Sequence, residues 1–218
     1  MARCSVLMVH GYMQNAEIFS ARTSNLRRKA LKFANAKTEY VFAESPLAAS
    51  MVETNAAPTD SSHRENACAW YNPREVDVRP VNSTEYVGWE GPFQALREQA
   101  REKGPFAGLL AFSQGGVPAI MLLSEMRSEI RCAIFVSCFA PLDPAVVQKL
   151  KGLPIEIPTL HVLGTSDPLV SAERSHELAA MFKDPVIVTH DGGHIMIPNQ
   201  LTDEVRGFLS LVDCYYSQ

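Results

Sequence analysis

The sequence predicts an α/β fold in which a mainly parallel sheet of about six strands carries helices on both faces. Two observations lead there. Short β-branched and apolar runs alternate with amphipathic stretches along the chain, and such alternation implies right-handed crossovers and a parallel sheet. The runs are also near-continuously apolar, as strands covered on both faces should be.

Taken in order, strands are expected at 4–10 (CSVLMVH), 39–45 (EYVFAES), 106–112 (FAGLLAF), 132–138 (CAIFVSC), 158–164 (PTLHVLG) and 185–190 (PVIVTH). Between them the spacing predicts helices over 19–36, 92–103, 114–128, 171–182 and 201–213. Ser171 suits the N-cap of the fourth helix, although Arg174 three residues on leaves its capping box incomplete. Arg27, Arg28 and Lys29 interleave with Leu26, Leu31 and Phe33, which reads as the solvated face of the first helix. One stretch breaks the alternation. Residues 46–92 are rich in Ser, Thr, Asn, Pro and Glu and read as an irregular insertion, part of which folds back to pack Trp70 and Tyr71.

The length of 218 residues predicts a single domain, 1–218, that carries this insertion. Hydrophobic residues at 46% and charged residues at 20% support a sizeable core and argue against a disordered chain. A net charge of −4 gives no sequence-wide surface for nucleic acid or an anionic membrane, so neither is expected as a partner. No run reaches the roughly 18 apolar residues of a transmembrane segment, and the first ten residues are too short for a signal peptide. The five cysteines show no CxxC pair and no zinc-like spacing, which predicts a reducing, cytoplasmic setting and no metal. Oligomeric state is not legible.

The chemistry starts at LLAFSQGGVPA, residues 109–119. Ser113 follows a predicted strand and opens a predicted helix, with Ala111 and Gly115 two residues to either side. This is the G-x-S-x-G nucleophile elbow with alanine in the first small position. The turn is so sharp that the residues flanking the serine at two removes approach each other and must be small. Ordinary strand-to-helix turns also favour small residues, so the serine needs partners.

An acid and a base must follow in the order Ser, Asp or Glu, His. LHVLGTSDPLVS puts Asp167 just beyond one strand, and VTHDGGHIMIP puts His194 just beyond the last. With Ser113 these residues would share the carboxyl edge of a parallel sheet, where catalytic groups collect. Asp143 also follows a strand and is an alternative acid, but FAPLDPAV reads better as a helix N-cap. Asp191 sits in a glycine turn that it more plausibly shapes, with Gly192 and Gly193 letting His194 swing over the serine. His190 and His161 read as packed residues, and His176 as a solvated one. At the other end, LMVHGYMQN places His10 and Gly11 after the first strand. A backbone N–H there, assigned to Tyr12, would pair with that of Gln114 as an oxyanion hole, Gly11 permitting the unusual backbone and His10 anchoring the turn.

With these residues in view, the chain resembles the FSH family of serine hydrolases, small α/β-hydrolases. HGYMQNAEIFSARTSNLRRKALKFAN is similar to the family's opening segment, AWYNP to its aromatic stretch and GPFAGLLAFSQGG to its nucleophile region. LHVLGTSDPLVS and THDGGHIMIP are similar to its acid and histidine loops. The likeness spans nearly the whole chain. It implies an α/β-hydrolase fold, the triad Ser113, Asp167 and His194, main-chain oxyanion donors at Tyr12 and Gln114, and hydrolysis of carboxylic esters, in some members long-chain. Two departures stand out: Ala111 where glycine is common, and Gly116 where alanine is common.

The resulting expectation is a serine carboxylesterase acting on a small-molecule or lipid-like ester through an acyl-enzyme, with no cofactor. Met13, Trp70, Tyr71, Phe139 and Leu169 are candidate pocket walls because their loops lead to the same edge, though core packing explains each equally well. The alternatives are an acyl thioesterase and a non-catalytic binding protein on the same scaffold. The lone glycine after the first strand, in HGYMQNAE, argues against a nucleotide-binding fold, whose phosphate loop would need several.

Overall fold

A computed structural model describes residues 2–33, 36–50, 66–75 and 78–216. Strand β1 (Ala2–Val9) leads through α1 (Ala16–Lys29) to β2 (Ala36–Phe42). Two short strands, β3 (Asn72–Pro73) and β4 (Tyr86–Val87), precede α2 (Glu90–Lys103). Then come β5 (Gly108–Phe112), a 3-10 turn over Ser113–Gly115, α3 (Gly116–Met126), β6 (Ala133–Val136) and α4 (Pro144–Val147). The chain continues with β7 (Thr159–Gly164), α5 (Ala172–Ala179), β8 (Val186–His190) and α6 (Thr202–Tyr216).

Six strands form one parallel sheet in the order β2-β1-β5-β6-β7-β8. Its central strands β5, β6 and β7 are buried at every residue, whereas the edge strand β8 is exposed along most of its length. Cover on both faces accounts for the apolar runs of β5, β6 and β7; β8 departs from that expectation, its Val186 and Ile187 lying exposed at the edge of the sheet. Alternate residues feed two separate cores. Val6, Met8, Leu110, Phe112, Ile134 and Val136 pack with Phe19 and Leu26 of α1 and Val205 and Phe208 of α6. Leu7, Val9, Leu109, Ala111 and Phe135 pack on the other face with Phe93 and Leu96 of α2, Ile120 and Leu123 of α3 and Leu178 of α5. The two-faced α/β fold of the sequence reading is the fold observed.

Boundaries shift for local reasons. The first helix starts at Ala16 rather than 19 because Asn15 caps it, its side chain accepting the Ile18 N–H at 2.9 Å. It stops at Lys29 rather than 36, and β2 correspondingly begins and ends three residues before the expected strand. Ser171 does cap α5. Asp143 caps α4, accepting the Ala145 N–H at 2.7 Å, and its other oxygen accepts the Tyr86 N–H at 2.6 Å. Both carboxylate oxygens are thus committed to backbone, which removes Asp143 as an alternative acid.

Within 46–92, residues 51–65 and 76–77 lie outside the described ones. The remainder is more ordered than an irregular insertion. β3 and β4 pair antiparallel, and Cys68 bridges to Gln14 and to Ala48. Tyr71 stacks on Tyr86 with 14° between the rings.

Candidate active site

Ser113 adopts φ of 52°, in the left-handed region that β-carbon sterics make unfavourable for any residue but glycine. Behind the turn, the end of β1 leaves no room for a β-carbon on Gly115, and Phe112 before the serine is still in extended backbone. The sharp bend projects the serine hydroxyl at the carboxyl end of β5. At Gly116, a methyl would fall 2.6 Å from the Cys138 β-carbon, so the glycine at this position matches the bulkier neighbour.

His194 reaches across from the loop after β8. Its Nε2 lies 3.0 Å from Ser113 Oγ and its Nδ1 lies 2.8 Å from Asp167 Oδ2. In the neutral ring, the serine hydroxyl donates to Nε2 and the Nδ1–H donates to the carboxylate. The Phe112 ring, 5.0 Å away, supports the imidazole from below. Asp167 stands just after β7 with its side chain 1% exposed. Its Oδ1 accepts the N–H groups of Leu169 at 2.8 Å and Val170 at 2.9 Å, leaving Oδ2 for the histidine. Burial works to raise the Asp167 carboxyl. The hydrogen bonds from His194, Val170 and Leu169 and the His194 charge outweigh it and hold the pKa below its ordinary value.

The turn after β1 closes the other side. Gly11 lies against the elbow, where a β-carbon would sit 2.9 Å from the Phe112 ring and 3.3 Å from Ser113 Cβ. Space is therefore what Gly11 supplies; the left-handed residue of the turn is Met13, with φ of 58°. Tyr12 follows Gly11, and its phenol donates to the Ser50 carbonyl. His10 is fully buried, with Nδ1 donating to the Gly11 carbonyl at 2.8 Å, and burial lowers its pKa.

The Gln114 side chain carries contacts that the sequence reading did not foresee. Its buried side-chain amide accepts the Trp70 N–H at 2.9 Å and donates to the Tyr71 carbonyl at 2.7 Å. The Trp70 indole in turn donates to the His10 carbonyl at 2.8 Å. One residue next to the nucleophile thereby ties the elbow to the 69–71 segment and, through it, to the β1 turn. A glutamine after an elbow serine is the visible signal, but its partners are 44 and 43 residues away in sequence and leave no local trace.

The proposed pocket residues divide. Trp70, Tyr71 and Phe139 are at most 1% exposed and belong to the core beneath the site, so they brace it rather than face an open pocket. Met13 is half-buried, and Leu169 is 41% exposed beside Asp167. Arg79 was not expected: its guanidinium donates to the Pro168 carbonyl at 2.9 Å, fastening the insertion to the acid loop. His161 stacks on Phe135 inside the sheet, and burial together with the His176 charge pushes its pKa down to about 3. His176 is exposed on α5.

A serine held on a strained elbow, backed by a histidine and a buried carboxylate at the carboxyl edge of a parallel sheet, defines a serine hydrolase of the α/β-hydrolase class. Residues 1–205 match the family described as Serine hydrolase (FSH1), and the chain belongs to that family. It is 34% identical over 194 residues to Esterase CG5412 of Drosophila melanogaster, spanning 87% of this chain and 67% of that protein. It is 32% identical over 198 residues to Esterase OVCA2 of Xenopus tropicalis, spanning 87% and 84% respectively. The crystal structure of esterase PE8 superposes with a TM-score of 0.67 at 17% identity, over 95% of this chain and 92% of that one, a likeness of fold. The protein is a serine esterase. Among the described residues, no helix is long and apolar enough to cross a membrane.

Proposed function

We propose that this esterase hydrolyses carboxylic esters of small or lipid-like alcohols through an acyl-enzyme on Ser113. The observation that carries the reading is the continuous relay from Ser113 Oγ through His194 to Asp167, at 3.0 Å and 2.8 Å. A serine hydroxyl is a poor nucleophile at neutral pH. His194 Nε2 therefore takes its proton as Oγ attacks the ester carbonyl carbon. The carbonyl oxygen becomes an oxyanion stabilised by the backbone N–H groups of Tyr12 and Gln114, each worth about 3 kcal/mol. His194 then returns the proton to the departing alcohol oxygen. A water molecule, deprotonated by the same ring, cleaves the acyl–Oγ bond and restores the serine. Asp167 keeps the Nδ1–H tautomer and stabilises the imidazolium in both halves.

Met13 and Leu169 are the apolar side chains we assign to the acyl or alcohol pocket. The five unpaired thiols suit a reducing compartment such as the cytoplasm. The test is hydrolysis of p-nitrophenyl esters from acetyl to palmitoyl, with the matching acyl thioesters in competition, by the native protein and Ser113→Ala. The proposal expects ester turnover that vanishes in the variant, with a chain-length optimum set by the pocket. Preferential cleavage of the thioesters would make the protein an acyl thioesterase instead.

A further inference from the structure

We propose that His190 is a positioning residue whose imidazole shapes the bend that delivers His194 to Asp167 and Ser113. The inference rests on the triad reading above.

β8 ends at His190, and only Asp191, Gly192 and Gly193 separate it from His194. The His190 ring folds back over this connection, and Gly192 donates its N–H to His190 Nδ1 at 3.1 Å. A side chain that accepts from the N–H two residues on makes the same closure as an Asx turn, here with a ring nitrogen. The bend is then fastened to the loop that carries Asp167. Thr165 donates both its N–H, at 2.8 Å, and its hydroxyl, at 3.2 Å, to the His190 carbonyl. Ser166 donates its N–H to the Gly192 carbonyl at 3.3 Å. Gly164 makes room for this contact: a β-carbon there would lie 2.4 Å from the Gly192 carbonyl oxygen and 3.1 Å from His190 Cε1. The acid loop and the base loop are one hydrogen-bonded unit, and the His190 ring lies at its centre.

The choice of residue supports a specific use of Nδ1. Because Nδ1 accepts, the proton of the neutral ring sits on Nε2. That nitrogen is buried, and no group among the described residues partners it. A position needed only for packing is better served by a phenyl ring, which buries no unpaired donor. What the imidazole adds is the acceptor for Gly192.

The test compares His190→Phe, which keeps a ring and loses the acceptor, with His190→Asn, which restores an acceptor to the turn. Expected for His190→Phe is a kcat about 10- to 100-fold lower with KM within about twofold, since small misplacement of a catalytic group costs turnover. His190→Asn should recover kcat to within about fivefold of the native enzyme. Folded variants that are equally active, or equally impaired, overturn the proposal. A second measurement needs no variant: histidine ¹⁵N–¹H correlation spectra of the native protein at neutral pH should show His190 as the Nε2–H tautomer. The Nδ1–H tautomer overturns it. Ser113→Ala run alongside separates the two readings. Full turnover in that variant removes the triad, whereas the His190 tautomer still reports whether the ring closes the bend.

Discussion

A methyl group on Gly115 would lie 2.4 Å from the His10 carbonyl oxygen and 2.7 Å from that of Val9. The turn that bears Ser113 is therefore wedged against the end of β1, and both atoms it would strike are backbone. Gly115→Ala should destabilise the fold by about 1–3 kcal/mol, the usual range for overpacking, and should lower kcat more than it raises KM. Urea denaturation and ester kinetics on the one variant check both effects.

The strain at Ser113 makes a second, separable prediction. A non-glycine residue in the left-handed region costs about 1–2 kcal/mol. Ser113→Gly and Ser113→Ala both lose the nucleophile and should both be inactive. The glycine variant should nonetheless be the more stable of the two by about 1 kcal/mol. Equal melting temperatures would mean that the elbow stores no strain.

Gln114 separates backbone from side-chain roles. In Gln114→Ala the backbone N–H assigned to the oxyanion hole remains, while the Trp70 N–H and the Tyr71 carbonyl lose their buried partner. Each orphaned group costs about 1–3 kcal/mol. Denaturation should show that loss, and proteolysis should reach the 69–71 segment in the variant at lower denaturant than in the native protein.

Asp167 links catalysis to acid stability. Its pKa lies below the ordinary 3.8, so the folded state binds this proton less readily than the unfolded chain. The stabilisation is fully present above pH 3.8 and is lost as pH falls through the lower, folded-state value. The stability gap between the native protein and Asp167→Asn should be constant near neutrality and close as the pH falls below about 4. The same variant should lose about 10⁴-fold in kcat, because asparagine supports the wrong tautomer of His194.

How much of this was legible in the sequence depends on the range of the interaction. The strand–helix alternation and the order of Ser113, Asp167 and His194 along the chain are local patterns. The sheet, and the placement of all three at one of its edges, follow from them. Ala111 and Gly115 were readable for the same reason, since the elbow needs small residues at fixed offsets. What stayed hidden depends on contacts across the chain. Nothing near Trp70 or Tyr71 says that Gln114 will clamp their backbone, which turns aromatics expected at a pocket wall into buried braces. The turn after β1 offered Gly11 as the unusual backbone position. Crowding against Phe112 makes Gly11 a matter of space, and the left-handed conformation falls on Met13. β3 and β4, two residues each, are too short to show any periodicity.

The central claim is that Ser113 becomes acylated, and covalent trapping tests it most directly. The native protein is treated with a fluorophosphonate, and separately with a slowly released p-nitrophenyl ester, and the modified peptide is mapped by mass spectrometry. The account predicts one stoichiometric adduct on Ser113, formed together with loss of esterase activity and absent from Ser113→Ala. Esterase turnover that survives in Ser113→Ala, or a stoichiometric adduct on another residue, would contradict it.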